Sequence, residues 1–146
     1  ILTLLAGEMQ SDIRIEKNIA RVSMVDCFPR DLSQAIAQIL MNAAYYVHER
    51  NRIENRSLGH IAIHLNKADE KYVELIIEND GFPIASEIRE HIFEPFFTTK
   101  PIGKGTGLGL SAVYGIIRRH HGQIRCVSEP SQPVRFIIML PFAIPS

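Results

Sequence analysis

The spacing of apolar positions changes several times along the chain, and each change marks an element. Residues 2–10 read as a short helix or the tail of a longer one. Over residues 12–19, Ile13, Ile15 and Ile19 fall on one side and Arg14 and Glu16 on the other, an alternation that predicts a strand. A second short strand is expected over residues 21–26, ahead of Pro29. From Asp31 the period lengthens: Leu32, Ile36, Ile39, Leu40, Ala43 and Val47 share one face of a helix, with Asp31 at the capping place and His48 at the exposed end. Residues 51–59 are polar and basic, a connecting loop. Alternation returns in Ile61, Ile63 and Leu65 and in Val73, Leu75 and Ile77, which predicts an antiparallel hairpin closed by a charged turn at 66–71. Residues 78–83 have turn composition, and residues 87–92 suit one or two helical turns. Leu108 opens an amphipathic helix that turns Ala112, Val113, Ile116 and Ile117 inward and stops at Gly122. Residues 124–128 and 134–140 close the series as strands. Elements in this order predict an α/β fold, a two-layer sandwich of a mixed, mostly antiparallel sheet with helices on one face.

Bulk composition adds few constraints. At 146 residues, 46% of them hydrophobic, the chain has the size and core of one globular domain spanning residues 1–146. Sixteen basic side chains balance sixteen acidic ones, which gives no argument for a nucleic acid or a membrane surface as partner. Cys27 and Cys126 belong to no Cys/His cluster, so they read as buried thiols of a reducing, cytoplasmic compartment. No apolar run is long enough to span a bilayer, and a chain that begins at Ile1 reads as a piece of a longer protein.

Candidate chemistry concentrates in residues 93–110. Glycine recurs at 103, 105, 107 and 109, with Lys100 and Lys104 close by and a helix opening at Leu108. Backbone without Cβ approaches a ligand closely, and the free N–H groups of a helix start attract anions, so this stretch is expected to be a phosphate site rather than a merely flexible Gly-rich loop. A second signal lies on the first long helix, where Gln34, Gln38, Asn42 and Glu49 oppose the apolar stripe. Such a face commonly meets only solvent, but here it is built largely of uncharged amides, and amides four residues apart can converge on one ligand. Standard phosphate motifs fail on spacing. Lys104 is followed by Gly105 where a Walker loop needs Ser or Thr, and Leu110 stands where a dinucleotide fingerprint needs its last glycine.

Several separated segments together resemble the ATP-binding catalytic domain of bacterial sensor histidine kinases, a relative of the gyrase, Hsp90 and MutL ATPases. Phe93-Glu94-Pro95-Phe96-Phe97-Thr98-Thr99-Lys100 is similar to that family's F box, and Gly105-Thr106-Gly107-Leu108-Gly109-Leu110 to its second glycine box. Gln34 through Asn42-Ala43 resembles its N box, and His121-Gly122-Gln123-Ile124 with Leu140-Pro141 its closing helix and strand. The resemblance implies the Bergerat-type sandwich with an ATP lid, and ATP and Mg2+ as ligands. It implies transfer of the γ-phosphoryl group to a histidine of an upstream dimerisation domain, with a response regulator as downstream partner. Asn42 is the implied Mg2+ ligand and, with Gln38, the candidate catalytic pair. Asn79, Gly81 and Ile84 fall on the adenine side. Tyr46 has two open readings, stacking on adenine and packing at the edge of the core. Lys100, Lys104, Gly105, Thr106, Gly107, Leu108 and Gly109 would form the lid and the helix start that meet the triphosphate.

The chain departs from that pattern at three walls of the pocket. The family's first glycine box reads Asp-x-Gly-x-Gly, whereas here Asn79 holds the Asp place and Pro83 the second Gly. Asp80 comes one residue late, and a one-residue shift turns a side chain to the other face. An Asn oxygen accepts the adenine amino group without charge assistance, a loss of about 1 kcal/mol. Gln38 stands where the related ATPases carry a general-base Glu, so it is not expected to activate water. The phosphoacceptor histidine is not found, since His48-Glu49 sits in the N-box helix. The competing reading is a degenerate pseudokinase domain that serves as a docking module.

Overall fold

A computed structural model of the chain describes residues 12–97 and 109–143; the helix expected at 2–10 lies outside them. Among the described residues the elements run β1 (Ile13–Ile19), α1 (Pro29–Glu54), β2 (Gly59–Lys67), β3 (Tyr72–Asn79), α2 (Ser86–Arg89), α3 (Gly109–Arg119), β4 (Gln123–Val127) and β5 (Val134–Pro141). The strands lie in the order β1-β2-β3-β5-β4. β1 is parallel to β2 and every other pairing is antiparallel, the mixed sheet that the alternation predicts.

Register explains where the core sits. Ile63 pairs with Ile77 and Leu65 with Leu75, while Ile77 and Leu75 face Phe136 and Ile138 across the next ladder. Because side chains alternate along a strand, these residues form columns on one face. Ile39, Leu40, Ala43 and Val47 of α1 and Val113, Ile116 and Ile117 of α3 cover that face and are buried against it. Each Val, Leu or Ile among them stabilises the fold by about 1.5–3 kcal/mol on leaving water.

Four expectations are corrected. Residues 21–26 form no strand; the Ala20 N–H still reaches the Leu65 carbonyl at 2.9 Å, and beyond it the chain is held through the Met24 carbonyl, which accepts from Ala143 at 2.8 Å. α1 begins at Pro29 and continues to Glu54, through the segment expected to be a loop. Its N-cap is Phe28, whose side chain makes no capping bond, and Asp31 instead places a negative charge in the first turn, where the helix dipole favours it. Ala112 is exposed; Val113, Ile116 and Ile117 alone of the four expected side chains are buried. At the end of α3 the left-handed residue is His121, with φ 60°, and Gly122 follows it because a Cβ there would lie 2.5 Å from the Met139 carbonyl oxygen.

His120 ties the two long helices together. Its Nδ1–H donates to the Ile116 carbonyl at 2.7 Å, and its Nε2 accepts the Phe28 N–H at 2.9 Å, so the end of α3 holds the start of α1. Cys27 and Cys126 are half-buried and unpaired, and burial pushes the Cys126 thiol up to about 11 against a weaker opposing pull from Arg89.

Candidate functional site

Four residues of α1 define one line across the molecule. Gln38, Asn42, Tyr46 and Arg50 follow at intervals of four, so they stack along one slowly drifting face of the helix. The face is half-buried along its length. At its first mark α3 approaches: a Cβ on Gly109 would lie 3.0 Å from Oε1 of Gln38. Gln38 on the amide face of α1 and the opening turn of α3 therefore meet.

At Tyr46 the turn after β3 approaches. A Cβ on Gly81 would lie 2.9 Å from the Tyr46 carbonyl carbon and 3.0 Å from its Cβ, so only glycine lets this turn come so close to α1. The Tyr46 ring stands edge-on to Tyr45, with centroids 5.2 Å apart at 89°. Asn79 is buried at the end of the inward column Val73, Leu75, Ile77, and its Oδ1 accepts the Gly81 N–H at 2.9 Å. Ile84 is held from another side, its N–H donating to Oγ of buried Ser128 at 2.8 Å.

Asp80 points the other way. Its Oδ1 accepts the His60 N–H at 2.9 Å and Arg56 Nη2 at 3.2 Å, and its Oδ2 lies 3.1 Å from His60 Nδ1. Burial alone would raise its pKa, but the bonds from His60 and the Arg56 charge outweigh it and hold the carboxyl below the usual carboxylate range. Asp80 is thus turned away from Tyr46 towards His60 and Arg56 and fastens the turn.

Arg50 is the residue that sequence reasoning missed. Its Nη1 donates to the carbonyls of Asp80 at 3.2 Å and Gly81 at 3.1 Å, its Nε bonds Glu54 at 2.9 Å, and its guanidinium lies 5.5 Å from the centre of the Phe82 ring. The signal was present: the four-residue interval Gln38, Asn42, Tyr46 has Arg50 as its next term, but the expected helix end at residue 50 concealed it. Behind this line lies a polar brace. His48 Nδ1 lies 2.8 Å from Asp12 Oδ2, Asn51 Nδ2 donates to the Asp12 carbonyl at 3.0 Å, and Arg56 Nε donates to Asn51 Oδ1 at 2.9 Å. His48 is accordingly half-buried rather than at an exposed end.

The F box is half described. Phe93 packs edge-on to Phe136 at 6.3 Å and tilted against Tyr114 at 5.7 Å, while Phe96 is exposed with a left-handed φ of 67°. Lys100, Lys104, Gly105, Thr106, Gly107 and Leu108 lie outside the described residues, and of the second glycine box only Gly109 and Leu110 are described.

The model of the family described as histidine kinase-, DNA gyrase B- and HSP90-like ATPase matches residues 28–144. Sensor kinase CckA of Brucella abortus is 54% identical over 70 residues, 48% of this chain and 7% of that protein. Sporulation kinase E of Bacillus subtilis is 31% identical over 134 residues, 92% of this chain and 16% of that protein. This chain thus spans a small part of the length of these curated relatives. Among solved structures, the mycobacterial sensor histidine kinase MprB superposes with a TM-score of 0.80 at 27% identity, over 96% of this chain and 88% of that one.

Proposed function

Since the chain belongs to the histidine kinase-, DNA gyrase B- and HSP90-like ATPase family, we infer that it is the ATP-binding catalytic domain of a sensor histidine kinase. The observation that carries this reading is the line Gln38, Asn42, Tyr46, Arg50, with the start of α3 against its first mark and the Asn79–Gly81 turn against its last two. The relatives above are named as kinases, so the docking-module alternative gains no support from them.

In this reading the base lies beside Tyr46 and the Asn79–Gly81 turn, and the phosphates extend towards Gln38, Asn42 and Gly109. Tyr46 offers a ring edge or face to the base, and Ile84 closes an apolar side. Lys100 and Lys104 neutralise phosphate charge from the lid formed with Gly105, Thr106, Gly107 and Leu108. Asn42 presents a neutral amide oxygen, which suits Mg2+ in a site where phosphates and water complete the shell. Among the described residues no three His, Cys, Asp or Glu side chains cluster, so the proposed protein ligand is the Asn42 amide oxygen alone. Mg2+ would draw charge from the β- and γ-phosphates during transfer. Gln38, an amide, positions and donates rather than removing a proton.

For the parent protein, we propose that the γ-phosphoryl group passes to a histidine of an upstream dimerisation domain and then to a response regulator. ATP as substrate puts the domain on the cytoplasmic side, and among the described residues no helix is long and apolar enough to cross a membrane. Residues 1–146 act as a single domain in this scheme. Titration calorimetry with a non-hydrolysable ATP analogue tests it: saturable heat that depends on Mg2+ is expected, and no heat at millimolar nucleotide overturns it.

A further inference from the structure

We propose that Arg56 is a positioning residue for the nucleotide: aimed by Asn51, it holds the carboxylate of Asp80 and so keeps the Asn79–Gly81 turn against Tyr46. This rests on the nucleotide-binding reading above and goes beyond it in assigning part of the affinity to two residues that lie behind the site.

The aiming begins where α1 ends. Asn55 takes the left-handed conformation, φ 54°, and turns the chain so that the Arg56 N–H donates to the Asn51 carbonyl at 2.9 Å. Nε of the same arginine donates to Asn51 Oδ1, also at 2.9 Å. The Asn51 amide is itself fixed. It is 5% exposed, and its Nδ2 donates to the Asp12 carbonyl at 3.0 Å and to Asp12 Oδ2 at 3.2 Å, which leaves its oxygen facing the guanidinium. The Asp12 carbonyl also accepts the Gly59 N–H at 2.8 Å, so the amide is tied to the starts of β1 and β2 at once. Gly59 leaves the room for this arrangement. A Cβ there would collide with Val47 Cγ1 and crowd Asn51 Oδ1 at 3.1 Å and Arg56 Nη2 at 3.2 Å.

With Nε held, the planar guanidinium has a set direction, and Nη2 meets Asp80 Oδ1 at 3.2 Å. Arg50 stands next to Asn51 in the chain but about 100° round the helix, and it takes the turn from another side. Its bonds go to the Asp80 and Gly81 carbonyls at 3.2 and 3.1 Å. The two arginines therefore grip different groups, Arg50 the backbone of the turn and Arg56 its carboxylate. The Arg56 and Asp80 side chains are 24% and 31% exposed, and an ion pair so open to water contributes little by charge alone. What Arg56 supplies is direction, because an anchored guanidinium restricts where the carboxylate and the peptide after it can sit. Without it Asp80 would keep the bonds from the His60 N–H and ring, at 2.9 and 3.1 Å, and one side of the turn would be free to draw back from Tyr46.

Calorimetric titration of ADP with Mg2+ into this chain, Arg56→Gln, Asp80→Asn and the double variant tests the inference, with urea unfolding of each alongside. Each single substitution is expected to weaken ADP binding by about threefold or more, and the double variant should bind no more weakly than the weaker single one, because both substitutions cut the same link. A merely structural role would lower the unfolding midpoint and leave the affinity of the folded protein unchanged. Arg56→Lys keeps a charge for Asp80 but gives up the Nε bond to Asn51, so it should remain weakened, and it provides a readout if Arg56→Gln fails to fold. Unchanged affinity in Arg56→Gln, full affinity in Arg56→Lys, or losses that multiply in the double variant overturn the proposal while leaving the nucleotide site intact. Absence of ADP binding to the unaltered chain overturns both.

Discussion

The two ends of the site are built on opposite principles. At the base end each backbone group of the Asp80–Gly81 turn is held by a partner within the protein: Arg50 on the carbonyls, His60 and Asn79 on the N–H groups. At the phosphate end α1 presents amides, Gln38 and Asn42, to the opening turn of α3, and the lysines assigned to that end lie outside the described residues. A turn whose bonds are all internal keeps its shape without ligand and can discriminate by shape and polarity. A wall of amides fits a ligand that brings its own charge and its own metal. In the proposed reading, selectivity would belong to the first end and chemistry to the second.

The strongest test of that division is Asn42→Ala. It should abolish the Mg2+ dependence of nucleotide affinity, a loss exceeding the roughly 10–100-fold that removing a mere supporting group costs. Calorimetry with and without a chelator reads it, and Mg2+ dependence that survives would take the metal role from Asn42. Gly81→Ala attacks the other end. The added methyl meets Tyr46 backbone at 2.9 Å, so urea unfolding should show a loss of about 1–3 kcal/mol together with weakened nucleotide binding. An unchanged midpoint would mean that the turn is not packed against α1 as described.

Arg50→Ala should cost about 1–2 kcal/mol of stability and weaken nucleotide binding without altering its Mg2+ dependence. Arg50→Lys should not restore it, because a point charge cannot span two carbonyls as the guanidinium fork does. If Lys rescues fully, charge rather than geometry holds the turn. The smallest effect is one of pH. The Asp80 carboxyl is held below its ordinary value, so the stability it contributes is present above about pH 4 and lost as pH falls through its lowered folded value. Denaturation midpoints of the parent chain and Asp80→Asn should converge below about pH 4, whereas a constant separation would remove Asp80 from the fastening of the turn.

Much of this architecture is legible in the sequence because alternation and helical periodicity act locally. Ile61, Ile63, Val73, Leu75 and Ile77 announce both the hairpin and its buried face. The extension of α1 is less visible, since after Val47 the next inward position is Asn51, a buried amide that replaces an apolar contact with a bond to the Asp12 carbonyl. A polar residue used in this way looks like a loop residue until its distant partner is known. The same holds at the base end. The shift from Asp to Asn at 79 is readable, but the turn that brings the Gly81 N–H to its oxygen depends on Arg50, Arg56 and His60, three residues distributed over α1, β2 and their connection.

Because a helix is stiff and rises about 1.5 Å per residue, the marks at Gln38, Asn42, Tyr46 and Arg50 stand about 6 Å apart, and in the proposed reading α1 would work as a ruler laid beside the nucleotide. On that reading a nucleoside alone would cover only the Tyr46 and Arg50 marks, and each added phosphate would extend it towards Asn42 and then Gln38. The graduations cannot be moved separately. One residue inserted between Asn42 and Tyr46 would shift everything beyond it by about 1.5 Å and turn it by about 100°, leaving base and metal measured from different scales.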